Sequence, residues 1–182
     1  MSANLTIHPL QLSRLDDFFL YLNDHLTDNG RDGTALFQPM PRQRSVFPEE
    51  KMAAFRQGLA TPLNEAGWRR AWVATGANGI QGHIDLRARP EHHAGHRALL
   101  GMGVHRAFRR LGLGADLIYA AAAWATAQPS LEWLDLEVLS DNAPALRLYH
   151  AHGFVQTGAV EDMFRVDGEQ LAYVFMSRRL LR

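Results

Sequence analysis

Arg109-Arg110-Leu111-Gly112-Leu113-Gly114 is the stretch on which the reading of this chain turns. It lies between Leu99 to Val104, which reads as a strand, and Leu113 to Ala127, which reads as a helix stopping before Pro129. Glycines at Gly112 and Gly114 keep side-chain bulk away, so backbone N–H groups from about Arg110 to Ala115 can converge on an anion. The positive end of the following helix favours the same anion, and Arg109 or Arg110 can add a charge-assisted contact. Glycines also begin helices for steric reasons alone, and these residues by themselves leave that reading open. Two other phosphate loops are excluded. A dinucleotide Gly-x-Gly-x-x-Gly beginning at Gly112 needs glycine where Leu117 stands, and no glycine-lysine pair followed by serine or threonine occurs.

Upstream, Leu5 to Leu10 reads as a strand ending at Pro9. Leu12, Leu15, Phe18, Phe19 and Leu22 form a helical stripe within Leu12 to Leu26. Asn29-Gly30-Arg31-Asp32-Gly33 stops that helix, and the segment to Pro48 reads as a long ordered loop of the kind that shapes a substrate pocket. Pro48-Glu49-Glu50 opens a second helix through Met52, Phe55 and Leu59. Trp68 to Ala74 and Gly79 to Arg87 pair as strands about a turn with the Asn-Gly hairpin signal. Downstream, Leu131 to Leu139 is a strand, Ala143 to His152 a helix closed by Gly153, and Phe154 to Thr157 and Leu171 to Arg178 are further strands, with a turn at Asp167-Gly168. The pattern is a mixed α/β sheet. With no repeat or linker in 182 residues, 1–182 is expected to be a single domain.

Apolar residues make up 47% and charged residues 21%, the balance of a soluble globular chain. Lys+Arg and Asp+Glu number 19 each, so no strong positive field draws in nucleic acid or an anionic membrane, and neither partner is expected. The chain has no cysteine, hence no disulfide, thiolate metal site or cysteine nucleophile. Met1 to Thr6 lacks the pattern of a secretory signal, and Ala115 to Ala127 is too short to cross a bilayer; a cytoplasmic location is expected. His92, His93 and His96 crowd together without metal-ligand spacing, so no metal is expected.

The glycine run, preceded by Gly101-Met102-Gly103-Val104-His105, is followed by Leu134-Asp135-Leu136-Glu137-Val138, then Asn142, Ala145, Leu148-Tyr149 and Gly153-Phe154. In this order the residues resemble the GCN5-related N-acetyltransferase (GNAT) family, whose central motif is Arg/Gln-x-x-Gly-x-Gly/Ala. Phe164 to Gly168 through Phe175-Met176 resembles its branch of ribosomal-protein, polyamine and small-amine acetyltransferases. The resemblance implies a central mixed, splayed sheet flanked by helices. It implies acetyl-CoA entering a gap between the strands at Leu99 to Val104 and Trp133 to Leu139, with its pyrophosphate on Arg109, Arg110, Leu111, Gly112, Leu113, Gly114 and Ala115. It also implies an amine-bearing acceptor, small molecule or peptide. A homodimer has precedent in the family, although no interface is legible in these residues.

Acyl transfer to an amine requires a neutral nucleophile, a stabilised carbonyl oxygen and a proton for the leaving sulfur. Met102, Gly103 and Val104 can supply an unpaired backbone N–H to the carbonyl. Tyr149, where the family carries a tyrosine, is the expected proton donor; the alternative is that its ring only packs. Asn142 either caps the helix after it or contacts the cofactor, with Asp141 a competitor for the cap. The branch often has glutamate where this chain has Leu99, so the amine's base is sought at Glu137, His83 or Asp85, in a relayed water, or in an amine that arrives neutral. Loss of that carboxylate also admits a non-catalytic acyl-CoA-binding sensor. Asp28, Asp32, Glu49 and Glu50 can attract a cationic acceptor, whereas a peptide needs an open cleft between the early loop and the Met163 to Gln170 turn.

Overall fold

The computed structural model describes residues 5–181; Met1 to Asn4, part of the segment read for a secretory signal, lie outside them. The described strands are β1 (Thr6–Pro9), β2 (Arg69–Gly76), β3 (Gly79–Ala88), β4 (Arg97–Val104), β5 (Trp133–Leu139), β6 (Val155–Val166) and β7 (Glu169–Arg179). The described α-helices are α1 (Leu15–Leu26), α2 (Glu49–Ala60), α3 (Leu113–Thr126) and α4 (Ala143–Ala151). The strands form one sheet in the order β1-β2-β3-β4-β5-β7-β6. All neighbours are antiparallel except β4 and β5, which run parallel.

Strand alternation gives the sheet two different faces. One carries Ile84, Leu86, Leu100, Leu134, Leu136, Val138, Val174 and Met176, buried against Leu113, Leu117, Ile118 and Ala121 of α3 and against Tyr149 and Phe154. Leu117 and Ile118 are fully buried, and truncating either to alanine costs about 2–5 kcal/mol. On the other face Ala71 and Val73 pack under Leu15, Phe18, Tyr21 and Leu22 of α1 and Phe55 of α2. That face also carries His83, Asp85, Asp135 and Ser177, all buried. Both faces bury an apolar cluster, and only the second also carries this row of buried polar groups beneath its helices.

Three local expectations are corrected. Leu12 is 48% exposed and belongs to a short 3-10 turn before α1, so the buried stripe begins at Leu15. The β2–β3 turn places Ala77 and Asn78 between the paired Gly76 and Gly79, with the positive φ of 86° at Gly79; Asn-Gly is therefore not the central pair. β6 continues to Val166, nine residues beyond Thr157, because its antiparallel pairing with β7 absorbs two irregularities. Its side chains are mostly exposed, so no apolar alternation marks it. At its end Asp167 and Gly168 both take positive φ, 51° and 84°, as a tight two-residue hairpin between the paired Val166 and Glu169 requires.

Candidate active site

The opening of the sheet creates the site. β4 and β5 pair only from Arg97–Trp133 to Leu99–Asp135, whereas β4 stays paired with β3 to Val104 and β5 with β7 to Leu139. The His105 N–H donates to Gln81 O on the β3 side at 2.9 Å, and His96 O accepts from Glu132 on the β5 side at 2.8 Å. Alternation along the strand therefore aims the backbone groups of Met102 and Val104 into the gap. The Val104 carbonyl accepts from Arg109 Nε at 3.0 Å. The N–H groups of Met102 and Val104 remain directed at the opening, where an acyl oxygen can receive a hydrogen bond.

At the mouth of the gap, Gly112 precedes α3 with φ 88°, and Arg110 has φ 62°. Only glycine adopts the first readily, and together they turn successive N–H groups toward the start of a 14-residue helix. Leu111 is 71% exposed, and the exposed Arg110 side chain makes no hydrogen bond or ion pair among the described residues. A Cβ on Gly114 would lie 2.9 Å from Leu148 Cδ2, so that glycine also lets α4 approach α3. The Arg109 guanidinium turns away from the mouth to Asp28 Oδ2 at 2.7 Å and Thr34 Oγ1 at 3.4 Å.

Tyr149, on α4, packs into the core cluster on the face of β5 that carries Leu134, Leu136 and Val138. It is 8% exposed, its ring meets Phe154 edge-on with centroids 5.7 Å apart, and its hydroxyl has no hydrogen-bond partner among the described residues. Burial, and then the nearby Tyr173 phenol, push its pKa above the ordinary value, so it stays protonated. Asn142 Oδ1 accepts from Ala145 N at 3.3 Å, which caps α4. That leaves its amide N–H groups for other partners.

Glu137, His83 and Asp85 all lie on the α1 face, opposite Tyr149. His83 is buried, and its Nδ1 lies 3.1 Å from the Tyr21 hydroxyl, which donates to Gly103 O at 3.2 Å. Because a carbonyl only accepts, His83 Nδ1 is the donor to Tyr21. Burial, then Arg69, depress the His83 pKa to about 3, so it is a weak proton acceptor near neutrality. Asp85 is held between Arg69 at 3.5 Å and Arg87 at 3.4 Å. Glu137 is half-buried beside Tyr173, whose pKa burial and then the Glu137 carboxylate push up to about 12. Leu99, 8% exposed, pairs with Asp135. Burial would raise the Asp135 pKa, but hydrogen bonds from Arg97 and Ser177 outweigh it and hold the group as a carboxylate.

Tyr21, His25 and Phe37 are site residues that the sequence reading passes over. A Cβ on Gly103 would lie 2.6 Å from His25 Nε2 and 2.7 Å from His83 Cε1, so two imidazoles lie over that glycine. Gly101 is likewise overlain by Asp85 and Arg87. His25 stacks on Phe37 of the early loop at 4.7 Å. Its Nδ1 is the buried side-chain atom without a hydrogen-bond partner among the described residues. Burial, then His83, lower its pKa to about 3. The signal was present: Tyr21 and His25 continue the stripe from Phe18 at spacings of three and four, placing polar groups on a buried face.

The early loop is pinned at both ends of this face. Fully buried Asn29 donates to Gln38 O, Met40 O and Ser45 Oγ and accepts from Phe37 N and Gln38 N. Arg42 reaches Asp167 at 3.2 Å and Glu169 at 2.7 Å in the β6–β7 hairpin. No described helix is long and apolar enough to cross a membrane.

Among solved structures, the chain is similar to an acetyltransferase of the GNAT family from Streptococcus pneumoniae, with 23% identity, TM-score 0.79, and coverage of 98% of this chain and 100% of that one. It is similar to a GNAT superfamily phosphinothricin acetyltransferase from Sinorhizobium meliloti in complex with acetyl-CoA, at 19% identity and TM-score 0.76, covering 99% and 89%. A spermidine N-acetyltransferase SpeG chimera from Vibrio cholerae and hSSAT shares 17% identity and TM-score 0.70, covering 98% and 96%. These likenesses concern the fold. No curated protein matches. Residues 35–154, more than half the chain and including the glycine run, the gap and Tyr149, match the family described as Acetyltransferase (GNAT) family, and the chain belongs to that family.

Proposed function

We propose that this chain transfers the acetyl group of acetyl-CoA to the primary amine of a small molecule. The observation that carries this reading is the gap between β4 and β5, with gap-facing N–H groups on Met102 and Val104 and a glycine loop at its mouth. The thioester lies along Met102, Gly103 and Val104. The pyrophosphate rests on the N–H groups of Arg110, Leu111, Gly112, Leu113, Gly114 and Ala115, with the free amide of Asn142 beside it. The amine attacks the thioester carbon from the α1 face, the C–S bond breaks, and Tyr149 gives its proton to the sulfur. A phenol kept neutral by burial is ready for that donation, and solvent later restores its proton. The amine's proton passes to Glu137, the carboxylate at the gap that has no arginine partner among the described residues. Holding both reactants in place supplies much of the rate.

Two observations favour a small acceptor over a peptide. Asn29 organises the early loop internally, and Arg42 ties it to the β6–β7 hairpin, where a peptide would have to lie. Beside the end of the β4–β5 pairing, a cavity of about 420 Å³ is lined by Arg89, Arg97, Asp135, Thr157, Phe175 and Ser177, which is room for a molecule with polar groups. Phosphinothricin and spermidine acetyltransferases share this fold, so acidic amines and polyamines both belong among the candidates. The resembled branch includes such acceptors.

Mass-detected transfer from acetyl-CoA to amino acids, polyamines, aminoglycosides and short peptides tests the reading. Acetylation of one of the small amines is expected. Tight acetyl-CoA binding without transfer to any of them would support the sensor reading, which Leu99 keeps in view.

A further inference from the structure

We propose that Arg109, although it opens the glycine loop, is a positioning residue for the acceptor side and leaves the phosphate contact to Arg110. The inference rests on the reading of the gap as the seat of acetyl-CoA.

Each of the three guanidinium nitrogens of Arg109 has an inward partner. Nε donates to Val104 O at 3.0 Å, Nη2 to Asp28 Oδ2 at 2.7 Å, and Nη1 to Thr34 Oγ1 at 3.4 Å. Val104 is the strand residue whose N–H faces the gap. Asp28 and Thr34 belong to the early loop. One planar group therefore joins the backbone that receives the thioester to the segment that roofs the acceptor, a span that a point charge such as lysine cannot bridge.

The strut continues. Asp28, with its side chain 13% exposed, also accepts from Arg106 Nη1 at 3.0 Å, and Arg106 Nη2 reaches Asp24 at 2.7 Å in the last turn of α1. The next residue in that turn is His25, over Gly103. The residue after Asp28 is Asn29, whose hydrogen bonds organise Phe37 to Ser45. Losing Arg109 leaves Asp28 less compensated and frees the start of the loop. Arg110, by contrast, is exposed at the mouth with its side chain free among the described residues.

Two measurements decide this: calorimetric titration with CoA, and amide hydrogen exchange over residues 27–40. Arg109→Met and Asp28→Asn should leave the CoA dissociation constant within about 3-fold, whereas Arg110→Met should weaken it about 10-fold, the scale of one charge-assisted bond. Exchange over 27–40 should quicken at least about 10-fold in both Arg109→Met and Asp28→Asn, with or without CoA, as local opening becomes easier. Arg109→Lys should behave like Arg109→Met, because charge without the fork does not span Val104 and Asp28. With the best amine of the panel, KM for the amine should rise more than kcat falls. A 10-fold loss of CoA affinity in Arg109→Met that Arg109→Lys restores, or unchanged exchange in Asp28→Asn, would overturn the proposal. Failure of the unaltered protein to bind CoA would instead sink the proposed function, with the exchange comparison still judging the strut.

Discussion

The two sides of the opened sheet are built by different means. On the proposed donor side the groups on offer are backbone: N–H groups of Met102 and Val104 in the gap, and the turn of Arg110 and Gly112 before α3. On the proposed acceptor side they are side chains brought from far apart, with Tyr21 and His25 on α1, His83 on β3, Phe37 in the early loop and Tyr173 on β7. Backbone recognition demands glycine at fixed spacing and leaves a motif. Side-chain recognition lets each element change its residues, and so lets one fold serve different acceptors.

Tyr149→Phe strikes between the two sides and should have the largest effect. The isosteric ring keeps its contact with Phe154, so acetyl-CoA affinity should hold within a few-fold while kcat falls about 10²–10⁴-fold, the range for a positioned proton donor. Steady-state kinetics beside calorimetry separates the two quantities, and undiminished turnover would remove Tyr149 from the chemistry.

Acid should lower the stability of the fold through the two imidazoles buried on the acceptor side. His25 and His83 have pKa values near 3 in the folded chain against an ordinary 6.5. Each is neutral when folded and takes up a proton on unfolding below pH 6.5. Their contribution is therefore complete above about 6.5 and is lost as pH falls toward 3, at up to about 1.4 kcal/mol per pH unit for each ring. Urea unfolding at pH 5, 6 and 7 checks the sign, and His25→Gln should flatten the slope. Equal stability at all three values would contradict the burial of both imidazoles.

How much of this was legible follows the same division. The glycine turn before α3 and the cap by Asn142, one of two readings of that residue, were legible because each depends on neighbours in sequence, whereas the gap between β4 and β5 came only with the family resemblance. The extent of β6 was not, because an edge strand with mostly exposed side chains shows no apolar alternation. The inward contacts of Arg109 were hidden for another reason. Its partners Asp28 and Thr34 lie far back in the chain, so the local pattern pointed its charge at the phosphate. His83 offered the right intrinsic basicity, but burial removed it.

Smaller effects sharpen the contrast. Asn29→Ala removes the polar hub of the early loop and should cost about 1–3 kcal/mol of stability and raise KM for the amine, leaving CoA affinity unchanged. Gly112→Ala meets no atom within 4 Å, so its cost is the φ of 88° alone, about 1–2 kcal/mol. It should weaken CoA several-fold and spare the amine's KM. Thermal melts with both titrations distinguish the pair; if the two variants altered the same constant, the division into sides would be wrong.

The most direct test is a crystal structure of the chain with CoA. The thiol end should lie between Met102 to Val104 and Glu137 to Leu139, with the pyrophosphate on the N–H groups of residues 110–115 and Arg109 still on Asp28. CoA bound on any other surface, with the gap between β4 and β5 left unfilled, would contradict the account.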